Sequence, residues 1–307
     1  MLAISTMWNA LKQPDGAALF DELKNLGFEK LELSRHLTLD QVEQLKPYLH
    51  ENPPCSIHNF CPILPGTSQA DAGQDKILLS SLNADERKEA VRRTIQTMEL
   101  AVELETPIVV LHLGEVDTYD RSYLMVDLYN YGEREFEAFH QKVTEATEWR
   151  KRKEEKHRNA VLRSLDELNE RALRMDLCIA IENRPHYYQI PNFDEVELFF
   201  EEFYGSPMRY WHDIGHAARQ EKLGVCWADK WLQQYEAYLV GVNLHDLQGL
   251  EAYHPPGIGD LAWDDIFAKM PADVLKVLEI RPCEAEPVIA ARELCESLSQ
   301  SSEQLDV

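Results

Sequence analysis

Eight short apolar runs alternate with longer amphipathic stretches along this chain, and that rhythm decides its architecture. The runs fall at residues 2–6, 30–33, 55–60, 108–113, 178–183, 208–213, 240–244 and 274–280. Several are near-continuous Val, Ile and Leu, the pattern of parallel strands covered on both faces. Helical patterns such as 84–104, 194–203 and 285–298 lie between them. Eight strand–helix units in 307 residues predict an α/β protein, a single (β/α)₈ TIM barrel over residues 1–307. A doubly wound open sheet is the rival, but no Gly-x-Gly-x-x-Gly follows the first strand.

The rhythm breaks once. About 64 residues separate the fourth and fifth strands, far more than a barrel crossover needs. This predicts a helical insertion after the fourth strand, over residues 115–160. Its first part, 117–131, carries Tyr119, Tyr123, Tyr129 and Tyr131 and reads as an aromatic loop placed to act as a lid. The stretch 133–175 reads as one long helix or two. It holds the dense basic cluster Arg150-Lys-Arg-Lys153 and Lys156-His-Arg158, read as a solvated helix face.

Composition excludes several classes. Hydrophobic residues make up 44%, enough for a real core, and no apolar run approaches the ~18 residues that span a bilayer. The first residues lack the basic and apolar regions of a signal peptide. The six cysteines are scattered without a Cys-x-x-Cys pair and read as free thiols, which points to the cytoplasm. The net charge of −23 repels polyanions, so a nucleic-acid partner is not expected. The oligomeric state is left open, a homo-oligomer included.

The chemistry sits where strands end. The third ends in His58, the fourth in His112, the fifth in Glu182, the sixth in Asp213 with His216 just beyond, the seventh in His245 and the eighth in Glu279. A barrel gathers these ends at one mouth. A carboxylate at the end of an apolar strand is costly unless it is paired or binds a metal. Carboxylates and imidazoles without thiolates suit an open site for a divalent ion such as Zn²⁺ or Mn²⁺. Alternation along strands forbids His245 and Asp246 from both facing inward, and His212 fails for the same reason. His36, His50, His140 and His157 read as surface residues. The pattern Glu-x-Arg-Pro occurs twice, at 182–185 and 279–282, placing Arg184 and Arg281 near the mouth. Either arginine could neutralise a carboxylate or hold a substrate oxyanion or phosphate.

Four segments together resemble the xylose isomerase-like TIM barrel superfamily, which contains sugar-phosphate isomerases and epimerases and endonuclease IV. They are Ile181-Glu182-Asn183, Asp213-Ile-Gly-His216, His245-Asp246 and His254-Pro-Pro-Gly257-Ile-Gly259-Asp260-Leu-Ala-Trp263. The resemblance implies metal ligands at Glu182, Asp213, His245 and Glu279. The endonuclease IV branch implies further ligands at His58, His112, His216 and His254, for up to three zinc ions. Its remaining Asp falls on Ala252, which cannot coordinate, and Glu251 is shifted by one.

The leading expectation is therefore a divalent-metal-dependent isomerase or epimerase of a small sugar or sugar phosphate. It would act through an enediolate, with Glu182 and Glu279 as base and acid, and Arg184, His216 and Arg281 holding substrate. An endonuclease IV-like zinc phosphodiesterase or phosphatase is the alternative. A non-catalytic sugar- or partner-binding barrel is the third reading.

Overall fold

The computed structural model describes residues 1–71, 77–118 and 122–305. Eight parallel strands close into a barrel: β1 (Leu2–Ser5), β2 (Lys30–Leu33), β3 (Ser56–His58), β4 (Ile108–Leu111), β5 (Cys178–Glu182), β6 (Met208–Asp213), β7 (Leu239–Leu244) and β8 (Leu275–Leu278). Each pairs with its sequence neighbours, and β1 closes the ring against β8. The (β/α)₈ barrel expected from the apolar rhythm is the observed fold, with strand ends shifted by no more than a few residues.

Alternation sorts the strands into two cores. Ala3, Val110, Ala180, Trp211 and Val277 form a buried cluster of their own inside the barrel. Trp211 fits because Gly241 stands beside it: a Cβ at Gly241 would lie 2.1 Å from the indole. The opposite faces, including Ile4, Leu33, Ile57, Leu111, Ile181, Tyr210 and Leu244, pack outward in the large cluster shared with the helices.

The outer helices are α1 (Gly16–Asn25), α2 (Leu39–Leu49), α3 (Ala84–Glu103), α4 (Ser122–Asn130), α5 (Glu137–Lys151), α6 (Glu154–Met175), α7 (Phe193–Glu202), α8 (Ile214–Lys222), α9 (Ala228–Tyr235), α10 (Trp263–Phe267) and α11 (Ala285–Leu305). Capping side chains set several starts. Thr38 with Gln41, and Asn192 with Glu195, form capping boxes on α2 and α7. Asp213 caps α8, its Oδ1 accepting the His216 backbone N–H at 2.6 Å.

The insertion corrects three expectations. The stretch read as an aromatic loop is helical over Ser122–Asn130, because Met125 buries itself against Phe139, Val143 and Tyr187 in a satellite core. Tyr119 lies outside the described residues; Tyr123 and Tyr131 are exposed. The basic cluster is not uniformly solvated. Arg150 is buried, with Nη2 donating to Glu195 at 2.6 Å and to the Gln189 carbonyl at 3.1 Å, and Nη1 to Glu154 at 2.7 Å. His157 is likewise buried, accepting the Asp117 N–H at Nε2 and facing the Ser80 carbonyl with Nδ1. His36 is buried too, and burial, then the Arg35 charge, pushes its imidazole down to about 4.

Removing one partner of a buried ion pair strands the other charge. Arg150→Ala is therefore expected to cost about 3–5 kcal/mol in chemical denaturation. A cost below about 1 kcal/mol, the range of a surface pair, would return Arg150 to the solvated class.

Candidate metal centre and active site

All eight strands run the same way, so their C-terminal ends meet at one mouth. Three groups of side chains converge there, each with ligand atoms within 4.8 Å of one another: Glu182, Asp213 and Glu279; Asp213, His216 and His245; and His58, His112 and Glu182. Every one is buried except His112, which is partly so.

The first group is the least self-sufficient. One amide, Asn243 Nδ2, donates to Glu182 Oε1 at 3.1 Å and to Glu279 Oε2 at 2.8 Å. Among the described residues, buried Asn243 Oδ1 has no hydrogen-bond partner. Burial alone would raise the Glu182 carboxyl; the His112 contact, the neighbouring His58 ring and the charge of Arg184 outweigh it and hold Glu182 well below the usual range. Glu279 goes the other way. Burial, then the negative charges of Glu182, Glu32 and Asp213, push it well above. Two carboxyls sharing one amide are thus shifted in opposite directions. Three buried carboxylates and an orphaned amide oxygen form an oxygen-rich donor set with excess negative charge, which a hard or borderline divalent cation fits.

The second group is closed on itself. His245 Nε2 lies 2.9 Å from Asp213 Oδ1, and His245 Nδ1 accepts the Tyr253 backbone N–H at 3.1 Å. His216 Nδ1 faces the Asn183 carbonyl at 3.0 Å, so its Nε2 accepts from the Tyr253 hydroxyl at 2.9 Å. Burial opposes the Asp213 charge, but His216 and His245 bring its carboxyl below the usual value. Gly215 makes room: a Cβ there would sit 1.9 Å from the His245 ring. In the third group, His112 Nε2 lies 2.8 Å and His58 Nε2 3.7 Å from Glu182 Oε2. Arg184 Nη1 donates to the same oxygen at 2.6 Å and also touches His112 Nε2, while Arg35 reaches His112 Nδ1.

The structure thus brings Glu182, Asp213, His245, Glu279, His58, His112, His216 and Arg184 together. It sets two expected residues apart. Arg281 pairs with Glu251 and lies 2.7 Å from His254 Nε2, on the hairpin of Asp246–Gln248 and Glu251–His254. Among the described residues, His254 joins none of the three groups. The backbone turns away at Pro282, after β8 has ended at Leu278, so strand alternation no longer governs Arg281. Asp246 is structural. It accepts the backbone N–H groups of Leu247, Gly257 and Leu261 and the Trp263 indole, tying down the segment 254–263.

Sequence reasoning missed Glu32, Asn243 and Tyr253. Glu32 is the penultimate residue of β2 and is fully buried; burial raises its carboxyl, and Ser56 donates to it at 2.8 Å. It obeyed the same strand-end rule and could have been found. Asn243 sits two residues before His245, on the same strand face. Tyr253 adopts φ 65, a left-handed conformation that the sequence does not signal at a non-glycine residue.

Residues 20–295 match the family model described as xylose isomerase-like TIM barrel. Comparison with curated proteins gives no match. Among solved structures, the chain is similar to a D-tagatose 3-epimerase-like protein (16% identity, TM-score 0.66, 100% of this chain and 99% of that one). It is similar to the 3-keto-D-glucoside 4-epimerase of E. coli (16%, 0.66, 97% and 98%). It also resembles D-psicose 3-epimerase with D-tagatose from Clostridium cellulolyticum H10 (14%, 0.66, 97% and 99%).

Proposed function

We propose, for a chain that belongs to the xylose isomerase-like TIM barrel family, a divalent-metal-dependent isomerase or epimerase of a small sugar or sugar phosphate. The observation that carries this reading is the convergence of Glu182, Asp213 and Glu279 at the mouth, with ligand atoms within 4.8 Å of one another and the two glutamates bridged by the Asn243 amide. A base from the end of β5 and an acid from just after β8, brought together at the mouth by barrel closure, suit removal of a proton from one carbon and its return to the next carbon or the other face. Glu182, Asp213, His245 and Glu279 would hold one Zn²⁺ or Mn²⁺. Such an ion supplies electrophilic stabilisation to a carbonyl oxygen that gains charge. Glu182, ionised through its imidazole and guanidinium partners, takes the proton. Glu279, across the shared Asn243 amide, returns a proton drawn from solvent. Arg184 and His216 orient substrate oxygens, and Trp211 closes the floor against water. The structural neighbours named as sugar epimerases support this reading through shared fold.

Solvent deuterium tests it. An enediolate route puts deuterium on the carbon next to the carbonyl during turnover, or gives a primary isotope effect if the proton is shielded. Solvent oxygen in the product, with neither of those signs, would replace this reading by a hydrolytic one.

One observation favours a second reading. The group of His58, His112 and Glu182 offers places for a second ion, as in a zinc phosphoesterase of the endonuclease IV kind. Against it, the Arg184 guanidinium already sits on Glu182 Oε2 and His112, supplying the positive charge that ion would bring. The net charge of −23 further opposes a DNA substrate. No binding to abasic duplex DNA is expected at physiological salt in a filter-binding or polarisation assay. Tight, site-specific cleavage would reverse the ranking.

A further inference from the structure

Outside the barrel wall, behind β6, residues of α8, α9 and α10 line a cavity of about 280 Å³. Its apolar lining includes Ile214, Leu232, Leu261 and Ile266, and Asp265 and Lys269 bring charges of both signs. The volume lies just under the ~300 Å³ at which drug-sized pockets begin, room for a molecule of one or two rings. One buried polar ring lines it: His212, 2% exposed. Alternation along β6 turns His212 out of the barrel while Asp213 faces in.

Donor counting fixes where the His212 proton sits. Asn183 Nδ2 donates to the Asp213 carbonyl at 2.9 Å, and Asn183 Oδ1 accepts the Asp213 N–H at 2.7 Å, which orients the amide. Tyr210 Oη lies 3.1 Å from that same Oδ1, an atom that only accepts, so the single hydroxyl proton goes there. Tyr210 Oη is also 2.7 Å from His212 Nδ1. With its proton given to Asn183, the hydroxyl accepts, and His212 Nδ1 is the donor. In a neutral imidazole the other nitrogen, Nε2, is then a bare acceptor. Among the described residues no donor reaches Nε2.

We propose that this cavity is a second ligand site, separate from the barrel mouth. It takes a small uncharged molecule with an apolar body and one N–H or O–H donor, directed at His212 Nε2. The rim charges balance, so neither an anion nor a cation is favoured, and the single acceptor selects a donor-bearing ring such as an indole or a phenol.

Indole is the probe and indene its control, since they share a bicyclic frame and only indole carries an N–H. Calorimetry is expected to give saturable one-to-one binding of indole, about tenfold tighter than indene, the worth of one made hydrogen bond. Ala218→Trp, which fills the cavity from α8, should abolish binding of both. His212→Phe, which keeps an aromatic ring on β6, should bring indole down to the level of indene. Should His212→Phe fail to fold, a two-bond ¹H–¹⁵N spectrum of the wild-type ring decides. The Nδ1–H tautomer, with Nε2 shifting on addition of indole, supports the site. The Nε2–H tautomer overturns it, as does equal affinity for indole and indene, or no saturable binding up to the solubility limit of indole. None of these readouts depends on the reaction proposed for the mouth.

Discussion

Replacing Glu182 or Glu279 by glutamine is expected to lower turnover by on the order of 10²–10⁴, the usual weight of a positioned general acid or base. Glutamine keeps the volume and one carbonyl oxygen, and both carboxylates already share the Asn243 amide. The two variants should differ in kind. At Glu182 the substitution removes an ionised group held by His112 and Arg184, leaving two donors facing an amide that can satisfy them only in part. At Glu279 it replaces a carboxyl that burial and the negative charges of Glu182, Glu32 and Asp213 already push well above the usual range, so packing should survive. Metal content per chain, measured in each variant with metal in excess, separates lost proton transfer from lost ligation. If both variants keep full turnover with metal bound, the acid–base assignment is wrong.

The fold was legible because parallel barrel strands are buried on both faces and so read as unbroken apolar runs. Strand parity was legible for the same reason: Asp213 faces the mouth and His212 faces the helices, as alternation requires. What failed was the fate of individual charges and backbone turns set by packing between distant segments away from the strand ends. Arg150 and His157 look like surface charges on a polar helix, yet they meet Glu195 and the Ser80 carbonyl, 45 and 77 residues away. Tyr253 reaches His216 and His245 only because its backbone takes a left-handed turn within a short hairpin. Part of the Asp213-x-x-His216 signal has a plain local cause, since the spacing is that of a helix cap and its N3 position. The shared pattern Glu-x-Arg-Pro has two outcomes: Arg184 lies on its own glutamate, whereas Arg281 lies on Glu251.

Metal removal should be visible in stability before activity is ever assayed. A ligand bound only by the folded state at about 100 times its Kd adds roughly 2.7 kcal/mol, so chelation should lower the melting temperature by several degrees and Mn²⁺ or Zn²⁺ should restore it. The pH dependence has a definite sign. Glu279 is raised in the metal-free fold, so above the ordinary glutamate range the folded chain holds a proton that the unfolded chain has lost. Stability of the metal-free protein therefore falls as pH rises from the unfolded value toward the folded one, and Glu32, raised by burial, adds in the same direction. A cation can bind four ligands fully only if that proton leaves, so metal affinity should climb with pH and binding should release protons. Calorimetry in two buffers of different ionisation enthalpy measures that release. Asp213→Asn gives the sharpest control. Asparagine caps helices as well as aspartate, so the cap of α8 should persist, while losing the charge that His216 and His245 favour should lower the metal-free melting temperature. The negative charge shared by two of the three convergent groups is gone, however, and metal should no longer raise the melting temperature. A variant that still gains the full metal-induced stabilisation would place the ion elsewhere than at this mouth.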